Sequence, residues 1–473
     1  MTPLVFDLDG TLISTDLLVE YLLVYVKTNP FRIFLLPFLL LGGRARLKRS
    51  LSQTVEFDAA LLPLREDLVA YGEQEAAKGR TVIIATAADE LAARKVMARL
   101  PFVSELIASD GSVNLKSHAK AKALQARFPE GFAYAGDSSS DLSVWAAASE
   151  TVYAGPSAGL ERRVGKLRAP AAVFRRANAS LRDWVKALRL HQWAKNALLF
   201  VPMALGGALA SPRAWIACIL GFIAIGILAS ATYVLNDLID LHDDRAHWSK
   251  QNRAFAKGRI PIAVGLVIIP FGLAAGLLLG FIAAGVPGLL TLAAYLTVTL
   301  AYSFKLKRVP VLDVMILAAL FTIRLAMGVV FSGVTWSSWL LVFSMFIFSS
   351  LSFAKRATEI ARLKARGGEK LAGRGYMASD EPFVFAIGVS LASAAVFVMV
   401  MYLIEEAFKT KLYSAPQYMW AFPCILGLWL GRIWLLCGRG ELNDDPVAFA
   451  VRDRVSIGLG AMLGTFLIAS LVL

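Results

Sequence analysis

Cysteine is scarce in this chain: three in 473 residues, namely Cys218, Cys424 and Cys437. All lie in or beside apolar runs, without metal-type spacing. Neither a disulfide framework nor a thiolate metal site is expected, and the three are read as packing residues. A secretory signal is also missing. The opening "MTPLVFDLDGT" lacks a basic n-region and turns polar too early, so the N-terminal part is expected to stay in the cytoplasm. Beyond about residue 195 there are no long polar stretches, only apolar runs separated by short charged loops. Hydrophobic residues make up 57% of the chain and the mean hydropathy is +0.61, too apolar for a soluble protein of this length. Two parts follow, one soluble and one in the membrane. The net charge of +14 is assigned to loops on the cytoplasmic side, and no nucleic-acid partner is expected.

The soluble part opens with "PLVFDLDGTLIS". A short buried-strand run, Leu4 to Phe6, leads into Asp7 and Asp9 and then Gly10-Thr11. The C-terminal end of a strand followed by a tight loop is where open α/β sheets place their chemistry. Two carboxylates two residues apart can divide the work between a nucleophile that is also a Mg²⁺ ligand and a general acid/base. "TVIIATAA" is a strand run ending near Thr86, whose hydroxyl and N–H suit a phosphate oxygen. "NLKSHAKAKAL" supplies Lys120, a cation for phosphate charge. "FAYAGDSSSDL" ends a strand at Gly136-Asp137, with Asp141 four residues on; these are hard oxygen ligands for Mg²⁺.

In these four motifs and their order, residues 1–160 resemble the haloacid dehalogenase (HAD) superfamily. The resemblance implies an α/β, Rossmannoid phosphatase domain with a helical cap over about residues 17–75. It implies that Asp7 is the phosphorylated nucleophile and Asp9 the acid/base, both also ligands of the metal. Thr86 and Lys120 would bind phosphate, and Asp137 with Asp141 would hold Mg²⁺. Between the first two motifs, "LLVEYLLVYVKTNPFRIFLLPFLLLGGRARLKRS" is apolar but broken by Pro30 and Pro37. Its longest clean piece, Phe31 to Leu41, is too short to span a bilayer. Two readings stay open: a cap lying on the membrane surface with the Arg44–Arg49 cluster near headgroups, or an ordinary buried helix pair.

Residues 161–190 read as a basic, partly amphipathic linker, and 191–473 as an all-α membrane domain. Apolar runs near 197–210, 214–236, 261–284, 287–303, 311–333, 336–353, 383–404, 417–436 and 455–472 give about nine candidate spans. Alternate loops are basic (245–259, 305–308, 355–374 and 439–454). The opposite loops carry only Arg213, Lys409 and Lys411. This places the N-terminus in the cytoplasm and, after an odd number of spans, the C-terminus outside.

The second of these runs ends in "LNDLIDLHDDRAHWSKQNR". Asp237, Asp240 and Asp244 are spaced to share one helix face, where a divalent cation would relieve their repulsion. Asp243 points elsewhere and reads as solvated. Lys250 and Arg253 are placed to contact the same phosphates. Tyr302, Lys305 and Lys307 end the fourth run. Asp313 and Arg324 lie inside the fifth, three turns apart on one face, either as functional groups or as a structural ion pair.

With Asn236-Asp237, Asp240 and Asp244-Arg245 in an NDxxDxxxDR pattern, residues 185–473 resemble the UbiA superfamily of intramembrane transferases. "HQWAKNALLFVP" (191–202), "YSFKLKRVPVLDVMILAALFTIRLAMG" (302–328), "AKRATEI" (354–360), "GRGY" (373–376) and "DDPVAFAVRDRVS" (444–456) resemble most its decaprenyl-phosphate phosphoribosyltransferase branch. Trp248 and Ala254 stand where the family commonly has proline, so the loop after the aspartates is expected to differ. The second motif has one acid, Asp313, and no DxxxD pair, unlike the aromatic prenyltransferases.

The resemblance implies a bifunctional enzyme of the plasma or inner membrane. Mg²⁺ on Asp237, Asp240 and Asp244 would neutralise a diphosphate leaving group. Phosphoribosyl diphosphate would be the donor and a polyprenyl phosphate the acceptor. Gln192, Lys195, Asn236, Arg245, Lys250, Arg253, Tyr302, Lys305, Lys307, Asp313, Arg324, Lys355 and Arg356 are the candidate substrate contacts. The HAD domain would remove a phosphate monoester, the 5-phosphate of the lipid product being one candidate. A prenyltransferase with an independent phosphatase is the alternative; a transporter lacks support in the absence of an inverted-repeat pattern. The sequence leaves a homo-oligomer open.

Overall fold

The computed structural model describes the chain except Pro156, Ala177, Trp248, Ser249, Ala372, Lys411, residues 443–445 and Val451, and the side chains of Pro30, Val447 and Ala448. Trp248, Lys411, Asp444, Asp445 and Val451, singled out above, thus lie outside the described residues. The chain divides into two compact units. One combines Met1–Arg189 with Tyr233–Pro270; the other combines Leu190–Thr232 with Phe271–Leu473.

The first unit is built on a parallel six-stranded sheet. Its strands are β1 (Leu4–Phe6), β2 (Val82–Asp89), β3 (Glu105–Ser109), β4 (Ala133–Gly136), β5 (Glu150–Tyr153) and β6 (Ala172–Val173), in the order β3-β2-β1-β4-β5-β6. β1 and β4 are continuous apolar runs with every residue buried, as a strand covered on both faces requires. β1 lies between β2 and β4, in register Phe6↔Ile84 and Phe6↔Ala135. From β1 the chain builds β2 and β3 on one side and then returns to build β4, β5 and β6 on the other, and this reversal of strand order opens a crevice at the strands' C-terminal ends. β6 falls in the stretch read as linker from the sequence.

Between β1 and β2 the chain forms α1 (Leu17–Thr28), a 3-10 turn Pro30–Leu35, α2 (Leu36–Leu41) and α3 (Arg44–Thr54). Asp16 starts α1 by accepting from the Val19 N–H at 3.2 Å, a side-chain N-cap. Leu17, Tyr21, Leu47 and Leu51 pack into the core with β1 and β2. Phe31, Phe34, Phe38 and Leu41 remain exposed.

Among the described residues seven helices are long and apolar enough to cross a membrane: Pro212–Ile239, Ile262–Phe304, Leu312–Ser332, Ser338–Ala365, Ala378–Lys409, Pro416–Gly438 and Arg454–Val472. Nine apolar runs were expected; one of them does not form a long helix, and two others are joined in one element. The run 197–210 forms a 3-10 segment, Leu190–Leu199, and a short helix, Phe200–Leu205. The runs 261–284 and 287–303 join in one 43-residue element that breaks at Ala284 and Gly285, where Gly285 has φ +61°. A Cβ on Gly280 would strike the Leu292 side chain, and one on Gly288 would strike the Gly280 carbonyl. In a straight helix residues twelve apart are about 18 Å apart, so this element folds back on itself as two antiparallel passes.

Candidate functional site

The DLDGT loop leaves β1 and returns over the crevice. Asp7 N–H donates to the Ala135 carbonyl at 2.8 Å, and Gly10 N–H to the Thr15 carbonyl at 3.1 Å. Gly10 adopts φ +75°, and a Cβ there would run into the Asp137 carboxylate. Glycine therefore lets the two loops at the ends of β1 and β4 close on each other.

Asp7, Asp137 and Asp141 each present a carboxylate oxygen, and these oxygens lie within 4.8 Å of one another, the only such group among the described residues. Asp141 is held by Ser138 N–H at 3.1 Å and the Tyr134 hydroxyl at 2.8 Å. Lys120, buried, lies 3.0 Å from Asp7 and 3.7 Å from Asp141, and donates to Tyr134 at 2.9 Å. Burial pushes Asp7 up to about 6, opposed by Lys120 and reinforced by Asp141. Burial, with Asp7 and Asp141, pushes Asp137 up to about 7. Three crowded carboxylates with one ammonium form a donor set that a small, hard divalent cation satisfies. Asp9 lies outside this trio. It accepts from Leu17 N–H at 2.9 Å, and burial, with Asp16 beside it, holds its carboxyl well above the usual range. A carboxyl whose pKa is raised by burial is suited to donate a proton. Thr86 is fully buried in β2, where its hydroxyl accepts from Ala88 N–H at 3.0 Å.

A cavity of about 760 Å³ opens over these groups. Asp7, Asp9, Lys120 and Asp137 line its polar end, and Leu40, Leu47 and Leu51 line an apolar part. Thr86 and Asp141 are not among its lining residues. Among the lining residues not singled out as site residues from the sequence, four carry the site's character. Lys48 donates to the Ala87 carbonyl and Asn114, and burial lowers its pKa. Arg176 reaches the Ser14 carbonyl at 2.8 Å and the Gly258 carbonyl. Tyr21 has a buried hydroxyl without a hydrogen-bond partner. Ile262 belongs to the first turn of an apolar helix. Only tertiary packing brings these four together; the basic cluster 44–49 was the one signal, for Lys48.

The same unit holds the aspartate stretch. The helix Pro212–Ile239 ends just before Asp240, and a short helix, Leu241–Ala246, follows. Asp244 N–H still donates to the Asp240 carbonyl at 2.8 Å, so the helical direction continues through the junction. Asp237 and Asp244 are buried; Asp240 and Asn236 are half-buried. One Arg253 nitrogen bridges Asp237 at 3.0 Å and Asp244 at 2.5 Å, which puts those two acids on one face. Arg189, not foreseen, reaches Asp237 at 2.6 Å, and Lys250 stands 3.9 Å from Asp244. Asp243, read as solvated, pairs with Lys27 at 2.7 Å. Arg245, read as a substrate contact, is buried: its two terminal nitrogens donate to Glu20 and its Nε to the Ala256 carbonyl. Those bonds commit the guanidinium inside the fold.

In the second unit Asp313 and Arg324 do not pair with each other. Asp313, fully buried, accepts from Arg356 Nε at 2.7 Å and from the Tyr376 hydroxyl at 2.8 Å. Arg356 also reaches Glu359 at 2.5 Å, so this candidate phosphate ligand is neutralised inside the bundle. Arg374 donates to the Tyr302 hydroxyl at 2.6 Å and lies 4.0 Å from Asp313. Arg324 instead holds Asn196 at 3.1 Å and Tyr295 at 2.9 Å. Helix geometry allowed the Asp313–Arg324 pair, but a neighbouring helix offered Asp313 a nearer cation. Gln192, Lys195, Lys307 and Lys355 are half-buried and Lys305 is exposed; Lys195 lies over the Phe321 ring at 5.7 Å.

Residues 199–457 match the UbiA prenyltransferase family, and residues 4–145 match the haloacid dehalogenase-like hydrolases. The chain is 40% identical over 471 residues to uncharacterized protein y4nM of Sinorhizobium fredii, covering 98% of this chain and 90% of that one. It is 33% identical over 217 residues to the decaprenyl-phosphate phosphoribosyltransferase of Corynebacterium glutamicum, covering 45% of this chain and 64% of that one. It is 31% identical over 288 residues to the enzyme of the same name from Mycolicibacterium smegmatis, covering 57% of this chain and 86% of that one. The chain thus belongs to the UbiA prenyltransferase family of integral membrane proteins, with a haloacid dehalogenase-like hydrolase domain at its N-terminal end.

Proposed function

We propose that this protein transfers 5-phosphoribose from phosphoribosyl diphosphate to a polyprenyl phosphate, and that its N-terminal domain then hydrolyses a phosphate monoester, the 5-phosphate of the lipid product. The observation that carries the transfer reading is the 31–33% identity to two decaprenyl-phosphate phosphoribosyltransferases. In this reading the helices between β1 and β2 are the cap, and the basic loops place the N-terminus in the cytoplasm.

Asp237, Asp240 and Asp244 would hold Mg²⁺, which neutralises the departing diphosphate. Arg253, already astride Asp237 and Asp244, would turn to the donor phosphates together with Lys250. Lys195, Lys305, Lys307 and Lys355 would bind the acceptor phosphate, whose own oxygen attacks C1 of the ribose. No strong base is required.

In the hydrolase, Asp7, Asp137 and Asp141 would hold Mg²⁺, which offsets phosphate charge. Asp7 attacks phosphorus and becomes phosphorylated. Asp9 protonates the leaving oxygen and then takes a proton from the attacking water. Lys120, 3.0 Å from Asp7, holds the phosphate oxygens and keeps the nucleophile ionised.

The family description favours a second reading, prenyl transfer to a small acceptor. Membranes containing the protein, supplied with polyprenyl phosphate and ribose-labelled phosphoribosyl diphosphate, separate the two. Label is expected in the lipid extract. Label that stays in water while a labelled prenyl diphosphate is consumed would replace the first reading with the second.

A further inference from the structure

The compact unit that carries Asp7 also contains the ends of two membrane-spanning helices, Tyr233–Ile239 and Ile262–Pro270. That unit must sit at the bilayer surface. Its cavity is itself walled by Pro261, Ile262 and Ala263, the entry to one of those helices. The phosphate-handling end is therefore within reach of headgroups.

The stretch Phe31–Leu41 is apolar and turned outward. Phe31 is 77% exposed, Phe34 70%, Phe38 70% and Leu41 84%. A contiguous apolar surface of this kind on a folded unit marks a contact site. It is too short to span, and the bilayer to which the unit is bound by two spans is the nearest apolar phase. Cations border it: Arg44 and Arg46 are exposed and Arg32 is half-buried, placed as headgroup partners for an interfacial segment. From the same stretch, Leu36 and Leu39 pack on the core, and Leu40, itself 49% exposed, lines the cavity beside Leu47 and Leu51. One short segment thus has an outer face that fits lipid and an inner face that forms the apolar wall of the phosphatase cavity.

We propose that Phe31–Leu41 lies in the bilayer interface, among anionic headgroups, and guides a membrane-held amphiphilic phosphomonoester into the Asp7 cavity. The substrate's phosphate goes to the polar end, and its apolar portion runs along Leu40 and Leu47 toward the membrane. This deepens, and rests on, the reading that the hydrolase acts on the lipid product.

The test uses the full chain in lipid nanodiscs with an anionic lipid fraction. In a variant with its native cysteines replaced, Phe34→Cys carries an environment-sensitive fluorophore; Glu130→Cys, at an exposed site on the first unit, is the control. Spin-labelled lipids are expected to quench position 34 and not position 130. Separately, Phe34→Asp/Phe38→Asp is expected to leave hydrolysis of p-nitrophenyl phosphate unchanged, which shows an intact fold. Its hydrolysis of the phosphorylated lipid product should fall by roughly tenfold or more, since each buried phenylalanine contributes about that factor to apolar burial. An unquenched position 34 overturns the interfacial placement, as does assembly of the chain through this face into a detergent-stable dimer. Undiminished lipid hydrolysis by the double variant overturns the guiding role. Quenching at position 34 with no lipid hydrolysis by the unaltered protein supports the placement and rejects the substrate reading instead.

Discussion

Arg245 donates to both carboxylate oxygens of Glu20, at 2.7 and 3.0 Å, and both side chains are buried. The partners lie 225 positions apart, one in the aspartate stretch of the transferase and one in the first turn of α1. Glu20 also accepts from the Thr15 hydroxyl at 2.6 Å, and the Thr15 carbonyl holds Gly10 of the DLDGT loop. A single buried ion pair therefore fastens the DLDGT loop of the hydrolase domain to the aspartate stretch of the UbiA part. Removing one partner leaves the other charge buried, which costs about 3–5 kcal/mol. Glu20→Gln and Arg245→Met should each lower the unfolding midpoint in detergent and both activities. The double variant should recover part of the loss, an interaction energy of about 0.5–3 kcal/mol in a double-mutant cycle. Additive losses would show that Arg245 acts at the donor rather than on Glu20.

The two chemistries should separate genetically. Asp7→Asn keeps the shape of the side chain and removes the nucleophile. It should abolish phosphatase turnover, leave transfer intact and cause the phosphorylated lipid to accumulate, as read by mass spectrometry of the lipid extract. Asp237→Asn should do the opposite, stopping ribose transfer while p-nitrophenyl phosphate is still hydrolysed. Chelation of divalent ions should stop both, and Mg²⁺ should restore both. An unchanged lipid profile in Asp7→Asn would sink the coupling of the two steps.

Gly10→Ala is expected to be severe for its size. The position has φ +75° and its added methyl would meet the Asp137 carboxylate. Left-handed backbone strain for a residue other than glycine costs about 1–3 kcal/mol. The loop can relieve the clash only by moving Asp7 and Asp137 apart. Phosphatase activity should fall by about tenfold per 1.4 kcal/mol lost in the transition state, with transfer much less affected. A wild-type rate in Gly10→Ala would show that the two loops need not close.

Tyr21→Phe should separate stability from substrate recognition. The Tyr21 hydroxyl is buried, has no hydrogen-bond partner and belongs to a residue lining the cavity. An unsatisfied buried hydroxyl costs about 1–3 kcal/mol, so its removal should leave the unfolding midpoint equal or higher. The KM for a sugar-containing phosphomonoester should rise, and that for p-nitrophenyl phosphate should not. An equal change for both substrates would place the hydroxyl off the substrate.

In the second unit, Arg356→Met should destabilise the bundle by about 3–5 kcal/mol, because it leaves Asp313 buried without its cation. Asp313→Asn/Arg356→Met should be closer to the unaltered protein in detergent melting. Arg356→Lys should not rescue fully, since an ammonium cannot serve Asp313 and Glu359 in the same planar fork.

Much of this was readable from residues alone. Strand-end aspartates, the ordered motifs around Asp7, Lys120 and Asp137, and long apolar runs each rest on local patterns, and local patterns are what a sequence records. Asp7, Lys120, Asp137 and Asp141 duly converge. The outcome for Arg245, Asp243, Asp313 and Arg324 was not readable that way. A charged side chain takes whichever opposite charge the fold delivers first, and for these four it comes from another element or, for Arg324, from neutral oxygens. The fold-back at Gly285, by contrast, falls in the gap between the apolar runs 261–284 and 287–303, where hydropathy already divided two spans. Local patterns in the chain already carried the two family domains and the long apolar helices. Only the tertiary structure decided that the aspartate stretch packs with the hydrolase, because burying Arg245 requires a carboxylate, and Glu20 is the one the fold supplies.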